Sequence, residues 1–114
     1  MDKRIVFRGM EKTQPMEDYC NQQLAKIEKL LENEREPIFI NVVFEPSKVR
    51  AHHSIEVRVK TPNYYEVSAS EGPKFYDVMD HVIDVLYRNL LEARRKLTEQ
   101  RRDAGRHDEV KKQK

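Results

Sequence analysis

Hydrophobic positions along the chain alternate between a period of two and a period of three to four, and the switches divide it into six elements. Lys3–Arg8 reads as a short strand with Ile5 and Phe7 on one face, ended by Gly9. Met16, Cys20, Leu24, Ile27 and Leu31 then recur at helical spacing and define a buried stripe. Thr13 is positioned to cap this helix, Pro15 falls in its first turn, and Glu17 and Asp18 suit the positive end of its dipole. Lys26 and Lys29 lie off the stripe, on the solvent side. The helix ends between Asn33 and Pro37, because a residue before proline is pushed out of helical geometry.

The run IFINVVF, residues 38–44, is nearly continuous in apolar residues, which predicts a central strand covered on one face and partly on the other. After a loop from Glu45 to Ala51, His53, Ile55, Val57 and Val59 alternate with Ser54, Glu56, Arg58 and Lys60. Thr61, Pro62 and Asn63 supply a turn, and Tyr65, Val67 and Ala69 alternate with Tyr64, Glu66, Ser68 and Ser70 on a returning antiparallel strand. Ser70 to Pro73 then punctuate the start of a long helix. Its apolar positions Phe75, Met79, Val82, Leu86, Leu90, Ala93 and Leu97 step by threes and fours.

Strand, helix, three strands, helix is therefore the expected order. It gives an α+β fold: a βαβββα two-layer domain, with a four-stranded mixed sheet and two helices packed on one face. The helical crossover lets the first two strands run parallel. Beyond Leu97 the chain is almost wholly polar, so the domain is expected over 1–103, with the helix fraying near Gly105 and a charged, disordered tail over 104–114.

At 114 residues the chain has room for one core. No apolar run approaches the ~20 residues of a membrane span, and MDKRIVFRGME lacks the apolar stretch of a signal peptide, so the expected compartment is the cytoplasm. The lone Cys20 reads as a small core hydrophobe.

Enzymatic chemistry finds little support. The three glycines form no phosphate loop, Ser68 and Ser70 sit in a strand without a nucleophile elbow, and adjacent His52 and His53 point to opposite faces. Asp77, Asp80 and Asp84 share a helix surface, but solvation and dipole pairing account for them without a cation. Neither a metal nor another cofactor nor a small-molecule substrate is expected. Tyr64, Tyr65 and Tyr76 could stack on bases, though packing at the sheet margin explains them as simply.

Charge distribution is more informative than the net +2. Acids outnumber bases four to one from Glu71 to Asp84, whereas YRNLLEARRKLTEQRR (87–102) carries six bases against Glu92 and Glu99. Pairs at i, i+4 such as Asp84 with Arg88 neutralise some of these. The surplus among Arg88, Arg94, Arg95, Lys96, Arg101 and Arg102 is expected to meet an external anion, and the excess of arginine suits forked hydrogen bonding to phosphate.

Two segments resemble a known family. LAKIEKLLE (24–32) and VSASEGPKFYDVMDHVIDVLYRNLLEARRKL (67–97) are similar to the short form of the ribosome hibernation promoting factor and ribosome-associated inhibitor family. The resemblance implies a ribosome-binding translation inhibitor that occupies the messenger and transfer RNA channel of the small ribosomal subunit. Its partner there is ribosomal RNA, met through phosphates, and the free protein is expected to be monomeric. Lys26 and Lys29 match the family's first-helix bases, and Arg88 and Lys96 match bases on its second helix; Arg94, Arg95, Arg101 and Arg102 extend the cluster. Val85, Leu91 and Glu92 depart from the polar or basic residues common in relatives. The alternatives are a protein-interaction module that regulates a transcription or signalling partner through Val85, Tyr87 and Leu91 as an apolar patch, or a generic double-stranded RNA binder.

Overall fold

Six elements follow one another in a computed structural model that describes residues 1–48 and 51–112, with side chains as far as Arg102. They are β1 (Asp2–Phe7), α1 (Gln14–Leu31), β2 (Phe39–Pro46), β3 (His53–Lys60), β4 (Tyr65–Gly72) and α2 (Phe75–Lys112). The βαβββα order matches expectation. The strands lie side by side in the order β1-β2-β3-β4, with β1 parallel to β2 and the other neighbours antiparallel. Strand ends differ by one or two residues from the sequence reading because the ladder decides them: Asp2 pairs with Phe39, and Pro46 with His53.

One face of the sheet carries both helices. Ile40, Val42 and Phe44 on β2 and Ile55, Val57 and Val59 on β3 turn inward. They meet Cys20, Leu24, Ile27 and Leu31 of α1 and Phe75, Met79, Val82, Ile83, Leu86 and Leu90 of α2. Burial of this apolar set is the main favourable term in folding, roughly 25 cal/mol per Å² of apolar surface.

The inward face of β4 is built differently. Glu66, Ser68, Ser70 and Gly72 oppose Val59, Val57, Ile55 and His53 in register, so they share the helix side of the sheet. Tyr65, Val67 and Ala69 face outward. Apart from Glu66 these inward residues are small, which lets α2 come close to β4. A Cβ on Gly72 would lie 2.9 Å from Val78 Cγ2, and the buried Ser68 hydroxyl donates to the Val82 carbonyl at 2.9 Å.

Local details fix the ends of the elements. Gly9, at φ +68°, takes the left-handed conformation that glycine adopts without a Cβ clash. Thr13 occupies the N-cap of α1, but its hydroxyl turns to Met16 Sδ at 3.0 Å and not to a backbone N–H. Thr61 shapes the β3–β4 turn, its Oγ1 accepting from the N–H groups of Asn63 and Tyr64, both at 3.1 Å. The backbone of α2 continues through Gly105, where fraying was expected, to Lys112. The Arg, Glu, Asp and Lys residues there include good helix formers, against a cost of about 1 kcal/mol for one glycine.

Candidate nucleic-acid interface

The outer surfaces of α1 and α2 enclose an open groove of about 800 Å³. Lys26 and Lys29 stand on its α1 wall, because both project from turns whose opposite side is the buried Leu24–Ile27–Leu31 stripe. Tyr87 and Arg94 belong to the α2 wall, as do Asp80 and Asp84 nearer the start of that helix. Both lysines are exposed and make no ion pair among the described residues.

The six bases of the second helix fall into two sets. Arg88 is paired with Asp84 one turn earlier. Arg95 lies between Glu92 and Glu99, with N–O distances of 2.5 Å to each, and the Glu92 carboxylate in particular raises the guanidinium pKa above its ordinary value. The same contact holds the Glu92 carboxyl below its usual range. Arg94 reaches across to α1, where it donates to the Leu30 carbonyl and lies 3.3 Å from Glu34 Oε1. Lys96, Arg101 and Arg102 are exposed and have no ion pair among the described residues.

This corrects the expected surplus of free arginines between Tyr87 and Arg102. Three of them are matched, two by acids from outside that stretch. Asp84 precedes it by one turn, and Glu34 is brought in by the packing of α1 against α2. Of the cations expected at the site, those without an ion pair among the described residues are therefore Lys26, Lys29, Lys96, Arg101 and Arg102. Its members are not contiguous: Lys96 lines a separate cleft beside the β3–β4 turn with Asn63 and Glu66. Arg101 and Arg102 lie beyond Leu90, the last buried residue among the described side chains of α2.

Glu34 is the residue that sequence reasoning missed. It stands past the end of α1 in no periodic position, yet it accepts from Tyr64 Oη at 2.8 Å as well as meeting Arg94. Burial, followed by that hydrogen bond, pushes the Tyr64 phenol up to about 12. The apolar patch of the alternative reading does not form as one surface. Tyr87 and Leu91 are exposed neighbours, but at 3.6 residues per turn the half-buried Val85 falls on a different side of α2. Asp80 and Asp84 are engaged by Tyr19 and Arg88, and the described residues hold no group of acids, histidines or cysteines suited to a metal ion.

A basic-edged, two-layer α+β domain is the class these features define. Residues 4–98 match the family of Sigma 54 modulation protein / S30EA ribosomal protein. The chain belongs to that family, and the resemblance drawn from its two helical segments is thereby borne out. Among solved structures, a ribosomal subunit interface protein from Coxiella burnetii is similar with a TM-score of 0.70 at 16% identity, over 82% of this chain and 98% of that one. The Protein Y N-terminal domain from Thermus thermophilus is similar with a TM-score of 0.62 at 22% identity, over 78% and 94% respectively. At those identities the likeness is one of fold. No curated protein gives a significant sequence match.

Proposed function

We propose that this protein is a ribosome hibernation factor, a non-catalytic inhibitor that binds the small ribosomal subunit and blocks the channel used by messenger and transfer RNA. The observation that carries this reading is the pair of exposed lysines, Lys26 and Lys29, without an ion pair among the described residues, on the groove between the helices of a chain in this family. Their ammonium groups meet ribosomal RNA phosphates and release counterions, while the sheet behind them fills space. Lys96, Arg101 and Arg102 add contacts at other points along α2. Arg88 and Arg95 join them by exchanging an exposed carboxylate for a phosphate, since solvent-exposed ion pairs are weakly held. Arg94 is a structural tie and not a primary contact. Inhibition is steric and needs no base-specific pocket. The site of action is the cytoplasm, where that subunit works; among the described residues no helix is long and apolar enough to cross a membrane.

Co-sedimentation with purified small subunits tests the reading. With about five phosphates neutralised, affinity falls roughly 10² to 10³-fold between about 50 and 200 mM salt. Binding that ignores salt, or that survives Lys26→Glu with Lys29→Glu unchanged, overturns it. Stoichiometric inhibition of cell-free translation is the functional counterpart.

A further inference from the structure

Among the described residues, no element covers the second face of the sheet. Both helices lie on the other side, and the outward row Phe39–Lys60–Tyr65 runs across three strands in register. The next row sets Arg4 and Arg58 either side of Asn41 and ends in Val67. Tyr65 is 52% exposed and Phe39 38%, unusual for aromatic side chains on strands that have a formed core behind them.

Three features of this surface specify its occupant. The rings are separated by Lys60, two strand spacings apart or about 10 Å, so they cannot stack on each other and each presents a free π-face. Cations are interleaved with them: Lys60 and Arg4 have no ion pair among the described residues, and Arg58 donates to Tyr65 Oη at 3.3 Å while pairing with Glu56. Asp2 is the only acid in the two rows. The patch does not suit a second copy of the chain, because a two-fold self-contact would bring two copies of the same cationic surface together. Nor is the patch a continuous apolar surface for a protein partner, since charged side chains divide it.

We infer that the open sheet face binds single-stranded RNA, with one base stacking on Phe39, a second on Tyr65, and the connecting phosphates held by Lys60 and Arg4. Aromatic rings on a four-stranded sheet provide a sequence-tolerant platform, because every base has a π-face. This surface lies on the side of the sheet away from Lys26, Lys29 and Lys96, so it acts independently of the ribosomal contact proposed above.

The test is an amide chemical-shift titration of the full chain with a short oligouridylate at low salt, with a duplex of equal length as comparison. The inference expects shifts around Phe39, Lys60 and Tyr65 with the single strand and not with the duplex. Phe39→Ala or Tyr65→Ala weakens binding about tenfold per ring. Arg4→Ala with Lys60→Ala, which leaves the rings in place, lowers the salt dependence of binding. Shifts confined to α1 and α2, no shifts, or unchanged affinity in the ring variants overturn it. So do concentration-dependent shifts of the same amides without RNA, which would identify a second copy. Small-subunit co-sedimentation of Phe39→Ala with Tyr65→Ala separates the two readings: retained ribosome binding with lost oligonucleotide binding supports the sheet site, and the opposite pattern overturns it.

Discussion

Arg94 and Glu34, sixty residues apart in the chain, meet at 3.3 Å where the end of α1 passes α2. The guanidinium also donates to the Leu30 carbonyl, one of the terminal α1 acceptors that the helix itself leaves open. Glu34 is the less exposed partner, and Tyr64 from the β3–β4 turn donates to the same carboxylate oxygen. One acid thus holds three elements together.

Arg94→Glu therefore reports on folding before it reports on RNA. It removes two charge-assisted contacts and sets a carboxylate beside Glu34, and is expected to cost about 1–2 kcal/mol. Thermal denaturation should show a midpoint several degrees lower. Arg94→Lys, which keeps the charge but loses the fork, should fall between. If Arg94→Glu melts with the unmodified chain, the tie is ornamental and Arg94 returns to the list of phosphate ligands.

Most of the architecture was legible because buried stripes are periodic. Cys20, Leu24, Ile27 and Leu31 announce α1, and Ile55, Val57 and Val59 announce β3; all seven are buried. The faces of β4 were not, since its larger apolar residues Tyr65 and Val67 point to solvent while Ser68 and Gly72 point inward. Close approach of α2 selects small residues there, a tertiary requirement that alternation alone does not reveal. The site was half legible for a similar reason. Exposed Lys26 and Lys29 follow from helical phase, whereas the neutralisation of Arg94 depends on where the chain past α1 meets α2.

Charge reversal at the exposed lysines separates binding from stability. Lys26→Glu and Lys29→Glu break no ion pair among the described residues, so each should leave stability within about 0.5 kcal/mol. Each should instead reduce the slope of log affinity for small subunits against log salt by about 1, the signature of one lost phosphate contact. Equal slopes in variant and unmodified chain would remove these lysines from the interface.

Gly72 is fixed by contact with α2. A methyl at this position would sit 2.9 Å from Val78 Cγ2, and Val78 is itself buried. Gly72→Ala is expected to destabilise by about 1–3 kcal/mol through overpacking. Val78→Ala opens the space the methyl needs, so the double variant should lose less than the sum of the singles. Strict additivity in chemical denaturation would show that the strand end shifts aside without strain.

Alkaline pH should weaken the fold through groups it keeps protonated. Burial raises the Cys20 thiol from 9.0 to about 12. Burial, with the bond to Glu34, raises the Tyr64 phenol from 10.0 to about 12, and the hydrogen bond to Asp80 does the same for Tyr19. In each case the folded chain holds a proton that the unfolded chain releases more readily. The stabilisation is therefore complete below the unfolded values, near pH 9 for the thiol and 10 for the phenols, and is lost as pH rises towards about 12. Melting temperatures should fall progressively through this window. Tyr64→Phe with Tyr19→Phe should lower stability at neutral pH by removing both phenolic hydrogen bonds, yet flatten the decline above about pH 10, because the groups that ionise are gone. A decline of unchanged steepness in that variant would assign it to the thiol and show that neither phenol is held by its carboxylate.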